Sequence, residues 1–214
     1  MLKKESVSVS HQCIYNLIHA DASGVLVRHT RHKLKYRRRP KRKPFPIADR
    51  TSIHSRPEQA DGKRFGDFEM DLIVDAHNHA ILTIVERSTN MLFMTKLAHG
   101  KKSEPLAKAV RRLLLPYKKH IKTITTDNGP EFAAHKLITK YLGGVVYFAD
   151  PYASWQKGAI ENTNKLIRQY IPKQANFDDF TDKKIASIQK KINSRPRQKL
   201  KFEIPKAEFF KRIV

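Results

Sequence analysis

A chain of 214 residues with a formal net charge of +23 suits one folded domain, or one domain plus a small appendage, that seeks a polyanion, and nucleic acid is the first choice. No apolar run approaches the roughly 18 residues of a membrane-spanning helix, and the interrupted apolar pattern at the start is not that of a signal peptide. The single Cys13 excludes a disulfide framework and a cysteine zinc site, so the sequence reads as a soluble protein of the cytoplasm.

Cys13, Ile14, Leu17 and Ile18 recur at helical spacing, which predicts an amphipathic helix over 11–20 with Ser10 as N-cap and Val9 stapled onto Ile14. Residues 28–43, "RHTRHKLKYRRRPKRK", hold ten Lys or Arg and no acid. Such a block repels itself and is expected to order only on a polyanion. Its Arg37, Arg38, Arg39, Lys41, Arg42 and Lys43 are candidate DNA contacts. A Pro-containing linker follows, giving an expected division into 1–27, 28–59 and 60–214.

Beyond residue 60 the pattern turns α/β. Strands are predicted over 66–75, 79–88 and 91–98, then at "KTITTD" and over 144–149. Helices are predicted over 103–117, with Ser103 as N-cap and Pro105 in the first turn, and over 130–142, 154–171 and 182–194. Three meandering strands followed by alternating helix and strand indicate a mixed five-stranded sheet with helices on its faces.

The carboxylates of so basic a chain are few enough to weigh singly. Period-two alternation puts Phe68, Met70, Leu72 and Val74 on one face of the first strand, and Asp67, Glu69, Asp71, Ile73 and Asp75 on the other. Alternation alone does not separate Glu69 from Asp71. Asp127 ends the fourth strand in "TTDNGPEF", where it could simply open the Asn-Gly-Pro turn or hold a charge at the sheet end. Glu161 lies 33 intervening residues further on, away from the helix face that carries Ile160 and Ile167. Two strand aspartates and a helix glutamate can meet at one sheet end. There they need a divalent cation, and oxygen donors favour Mg²⁺ or Mn²⁺. Two such ions suit in-line phosphoryl displacement. Lys165 and Arg168, at i+4 and i+7 from Glu161, are candidate phosphate contacts on the same helix face.

The stretches "GDFEMDLIV", "TITTDNGPEFAAH" and "ADPYASWQKGAIENTNKLIRQYIP", closing with "INSRPRQKLKFEIPKAEF", resemble bacterial transposases of the insertion-sequence-thirty family, within the DDE transposase and retroviral-integrase group. The resemblance covers roughly residues 60–210. It implies an RNase H-like core and a metal-binding catalytic triad of Asp71, Asp127 and Glu161 using Mg²⁺ or Mn²⁺. It also implies cleavage and strand transfer of double-stranded DNA, at terminal inverted repeats and target, by a homo-oligomer in the bacterial cytoplasm at the nucleoid. "SVSHQCIYNLIHAD" resembles the last helix of the family's helix-turn-helix region, so a copy lacking the upstream DNA-binding helices is expected. One departure is Met70, where the family often has glycine beside the aspartate.

Other features read as local structure: "HNH" at 77–79 as a polar turn, Trp155 as a packing anchor, Cys13 as an apolar-face residue, and Asn193 with Arg195 as the end of the last helix. The alternative function is a DNA-binding relic whose acids only balance charge.

Overall fold

The computed structural model describes residues 9–30, 47–151 and 153–213 and divides the chain into two units, 1–44 and 45–214. In the first unit, helix α1 (His11–Ala20) starts where the sequence predicts, with Ser10 accepting the Cys13 N–H at 3.2 Å. A one-turn helix α2 (Val25–Arg28) follows, its Leu26 N–H held by the Asp21 carboxylate at 2.8 Å. Neither helix buries a residue: Cys13, Val9 and Ile14 are all exposed, so the first is no packing residue and no covered staple forms. The arm with Arg37, Arg38, Arg39, Lys41, Arg42 and Lys43 lies outside the described residues.

The second unit is a mixed sheet with helices on both faces. Strands β2 (Asp67–Val74), β3 (Ala80–Glu86) and β4 (Leu92–Leu97) form the antiparallel meander, and β5 (Thr123–Thr126) and β6 (Val145–Phe148) join β2 in parallel. To these five the structure adds β1 (Thr51–Ser52), parallel to β6, giving the order β1-β6-β5-β2-β3-β4. Residues 47–60, linker by composition, thus enter the folded unit, with Ile47, Ile53 and Ala60 buried. Gly66 sets the start of β2. Its φ is +97°, and a Cβ there would sit 2.0 Å from the His120 carbonyl, so only glycine lets β2 lie this close to the chain entering β5.

Period-two alternation divides the core as the sequence requires. Phe68 and Met70 of β2 and Leu82 and Ile84 of β3 pack with α3 (Ser103–Leu114), α4 (His135–Leu142) and Phe209 of α7 (Pro205–Lys211). Met70 is fully buried in that apolar layer, pointing away from Asp71, and so leaves the acid face undisturbed. On the other face Ile73, Ile81, Leu92 and Met94 pack with Ile167 of α5 (Gly158–Ile167) and Ile185, Ile188 and Ile192 of α6 (Asp182–Asn193).

Some element boundaries differ from expectation. α3 takes Lys102, not Ser103, as its N-cap position because Ser103 is already helical, and it ends in a 3₁₀ stretch over Leu115–His120. Pro130–Phe132 and Ser154–Lys157 are 3₁₀ turns leading toward α4 and α5. Asn193 does more than end α6: its amide accepts the Leu92 N–H at 2.9 Å and donates to the Leu92 carbonyl at 2.7 Å. Gln189 accepts the Met94 N–H at 2.6 Å, so two α6 amides line the outer edge of β4. Among the described residues no helix is long and apolar enough to cross a membrane.

Candidate active site

The register places the first two acids. Parallel pairing of β2 with β5 sets Glu69 against Thr125, and two residues further on the same alternation brings Asp71 alongside Asp127 at the sheet end. The turn then fixes Asp127: its Oδ1 accepts the Gly129 N–H at 3.0 Å, while its Oδ2 faces the Lys157 ammonium at 3.4 Å. The turn contact and the cavity-facing carboxylate therefore belong to one side chain. A Cβ at Gly129 would meet the Glu131 carboxyl at 2.6 Å, so a larger residue there would push that flexible side chain aside.

Lys157, the last residue of the 3₁₀ turn before α5, also reaches Asp71 Oδ1 at 3.5 Å. The lysine is buried and lies between the two carboxylates, supplying the positive charge that two adjacent acids need. Burial raises the pKa of Asp71; Lys157 opposes the shift and Asp127 adds to it. Asp71 Oδ2 accepts from the Asn164 amide at 2.9 Å, and Thr83, opposite Asp71 on β3, donates to Asn164 Oδ1 at 3.1 Å. One aspartate is thus gripped by a cation, an amide and, through that amide, a neighbouring strand.

Glu69 and Asp71 share a face but not an environment. Glu69 is 1% exposed; its carboxylate accepts the Ile160 N–H in the first turn of α5 at 2.8 Å and pairs with Arg87 at 2.9 Å. Burial raises its pKa against the pull of these partners. It fastens α5 to the sheet, whereas Asp71 opens into a cavity. Asp67, fully buried, is taken by Arg64 and the Thr123 hydroxyl. Asp75 accepts the backbone N–H groups of His77, His79 and Phe177 and pairs with the His79 ring, which makes "HNH" a turn built around one acid.

Asp71, Asp127 and Glu161 line one cavity of about 320 Å³, together with Asp150, Lys157 and Ile160. Glu161 is exposed and lies 4.0 Å from Lys165. Among the described residues no three His, Cys, Asp or Glu side chains are close enough together to hold one ion as they stand. The donors nonetheless suit a hard divalent cation: all are carboxylate oxygens, and Lys157 occupies the charge position between two of them. A neighbouring hollow shares Asp71 and Glu161 and carries Asn164, Lys165 and Arg168. Lys165 is exposed there, while Arg168 donates to the Pro172 carbonyl at 3.3 Å and lies over the Phe177 ring.

Sequence reasoning missed Lys157, Asn164, Asp150 and Glu131. The first two flank Glu161 at −4 and +3, a helical spacing that would have flagged them. Asp150 is held by Gln156 and His54, which keep its pKa low, and Glu131 is partly buried, a burial that raises its pKa with Asp127 adding to the effect. Trp155 is 75% exposed and so is not the packing anchor its type suggests.

A mixed sheet with helices on both faces, an antiparallel meander followed by parallel strands, is the fold of an integrase core domain. In agreement, the fold matches the crystal structure of the catalytic core domain of BIV integrase with a TM-score of 0.53, covering 69% of this chain and 95% of that one at 17% identity. No protein-family model matches the sequence. Its homologues are transposases of the insertion-sequence-thirty family. The transposase for insertion sequence element IS4351 of Bacteroides fragilis is 43% identical over 96% of this chain and 65% of its own length. Transposase InsI for insertion sequence element IS30A of Escherichia coli is 33% identical over 95% of this chain and 56% of its own length. The chain spans less than two thirds of the length of these relatives.

Proposed function

We propose that this chain carries the catalytic region of a DDE-type DNA transposase, a polynucleotidyl transferase that cleaves DNA at an element's terminal inverted repeats and joins the freed 3′-hydroxyl to target DNA. The observation that supports this best is the opening of Asp71, Asp127 and Glu161 into one cavity of a chain with net charge +23. These three carboxylates are the residues that would hold Mg²⁺ or Mn²⁺, as two ions. When bound, the ions polarise the phosphodiester and favour ionisation of the attacking hydroxyl.

The chain's own groups do the rest of the positioning. Asn164 and Thr83 fix the rotamer of Asp71, the Gly129 N–H fixes Asp127, and Lys157 keeps the two aspartates together against their repulsion. Lys165 and Arg168 meet DNA phosphates beside Glu161, and the basic arm over 28–43 binds DNA backbone. In this reading residues 1–27 belong to a helix-turn-helix region, a basic linker follows, and the core runs to 214, starting near 45 rather than at 60 because residues 47–60 join the folded unit. The chain acts as a homo-oligomer on DNA in the cytoplasm.

The test is strand transfer with terminal-repeat DNA in Mg²⁺ or Mn²⁺, comparing the chain with Asp127→Asn. Product from the former and none from the latter supports the proposal. DNA binding without product in either metal would leave a basic DNA-binding protein without chemistry.

A further inference from the structure

Helix α5 has a second working flank. Glu161, Asn164, Lys165 and Arg168 fall on the face beside the acids, whereas Gly158, Ala159, Asn162 and Leu166 fall on another and border a separate cavity of about 540 Å³. None of Asp71, Asp127 and Glu161 lines it. Its remaining wall includes Trp155, Lys63, Arg87, Arg197 and Lys199.

The charges around this cavity do not cancel. Arg87 is spent on Glu69, and Lys63 lies 3.8 Å from Asp61. Arg197 and Lys199 form no ion pair among the described residues. Lys199 donates to the carbonyls of Arg87 at 2.6 Å and Gly62 at 3.4 Å. Arg197 donates to the Ile192 carbonyl at 3.3 Å, and its buried Nε has no hydrogen-bond partner. Burial, and then Arg195, lower the pKa of that guanidinium, as expected of a cation without an acid. Beside these cations stands an indole three-quarters exposed. The wall also holds Asp61 and Glu69, but neither pairs directly with Arg197 or Lys199. A large aromatic surface left in water next to these cations suits a ligand that has both a flat π face and an anion.

We propose that this cavity binds one unpaired nucleotide of a DNA strand, with its base stacked on Trp155 and its phosphate on Arg197 and Lys199. The choice of DNA rests on the transposase reading above. An unpaired nucleotide is required because a base inside a duplex has both faces covered by its neighbours, whereas a frayed or extruded base can stack on an aromatic side chain. The volume suits a ligand of this size. The nucleotide site and the acid cavity lie on different flanks of one helix, roughly 10–12 Å across, so a strand leaving one can enter the other.

Trp155 is the chain's one tryptophan, which makes its emission a reporter of this site alone. The experiment titrates the full chain, in EDTA, with a labelled five-nucleotide oligothymidylate, reading tryptophan emission and label anisotropy together. Saturable quenching that coincides with the anisotropy change is expected. Trp155→Ala should weaken oligothymidylate binding by about fivefold or more, the effect of losing one stacked base, with Trp155→Phe recovering most of it. Lys199→Gln, at an exposed position, should weaken it about tenfold, as loss of a charged hydrogen bond does. Binding by anisotropy with unchanged emission, no binding of oligothymidylate, or a Trp155→Ala chain that binds like the parent would each overturn the nucleotide site. Quenching that survives in a chain without strand-transfer activity would instead remove the transposase reading and leave this site standing.

Discussion

The two faces of β2 are built on different terms. Phe68 and Met70 on one side ask only for volume, and the apolar layer under α3 and α4 supplies it. Asp67, Glu69 and Asp75 on the other side are buried acids, and each is surrounded by donors of fixed position. Asp71 is the exception on its own face. It is held on one side only, by the Asn164 amide at 2.9 Å and the Lys157 ammonium at 3.5 Å, and it opens into a cavity. A strand can therefore present a usable carboxylate only if its neighbours on the same face are firmly satisfied, so that they neither compete for the ligand nor unfold the strand.

The largest test of that contrast is Glu69→Ala. It leaves the Arg87 guanidinium without its acid and the Ile160 N–H of α5 without an acceptor, and should cost about 3–5 kcal/mol in urea unfolding. On the apolar face Met70→Ala should cost about 2–5 kcal/mol through its cavity, with no dependence on salt or metal. If Glu69→Ala costs under about 1 kcal/mol, the range of an exposed ion pair, the acid face is held by packing after all.

Asp75 gives the acid limit. Burial by itself would raise its pKa, but the N–H groups of Phe177, His79 and His77 and the His79 ring outweigh it and hold the value at about 2, against 3.8 for the free side chain. A depressed carboxylate stabilises the fold above its unfolded pKa, and that stability drains away as pH falls from about 4 through 2. The contribution is about 2 kcal/mol. Unfolding of the parent and Asp75→Asn chains should differ by that amount at pH 6 and converge near pH 2; a gap independent of pH would show that the carboxylate's charge is not what stabilises.

Lys157→Met should cost about 1–2 kcal/mol in EDTA, less than a fully buried pair because Asp127 is half exposed. Mg²⁺ should then stabilise the variant more than the parent, by up to about 2.7 kcal/mol at a hundredfold excess over its Kd. Equal metal-induced shifts in Tm would count against these aspartates as the metal site. The smallest expected effect is Asp71→Asn, about 1 kcal/mol or less, because the lost attraction to Lys157 is offset by relief of the repulsion from Asp127, while strand transfer is lost.

Regular elements with a side-chain period were legible in the sequence, whereas Asp71, Asp127 and Glu161 share one cavity without closing on a common ion position among the described residues. What escaped had no period to read. β1 is two residues that pair through backbone alone. Glu69 and Asp71 share a face by alternation, and only the arrival of α5 and Arg87 tells them apart. Lys157 is one of 43 Lys and Arg residues, so its type carried almost no information until its position was known. Trp155 misled because a tryptophan is expected to be covered.

The amides of Asn193 and Gln189 have a consequence for the protein in a crowd. They occupy backbone groups on the outer edge of β4, and on the opposite side the sheet ends in the two-residue β1. Bare, flat strand edges are templates on which chains zip together into aggregates. Here the template is blocked at one end and very short at the other, so many copies can be held at high local concentration without fusing into a continuous sheet. An Asn193→Ala chain should accordingly begin to precipitate at concentrations the parent tolerates, before its melting temperature has fallen far.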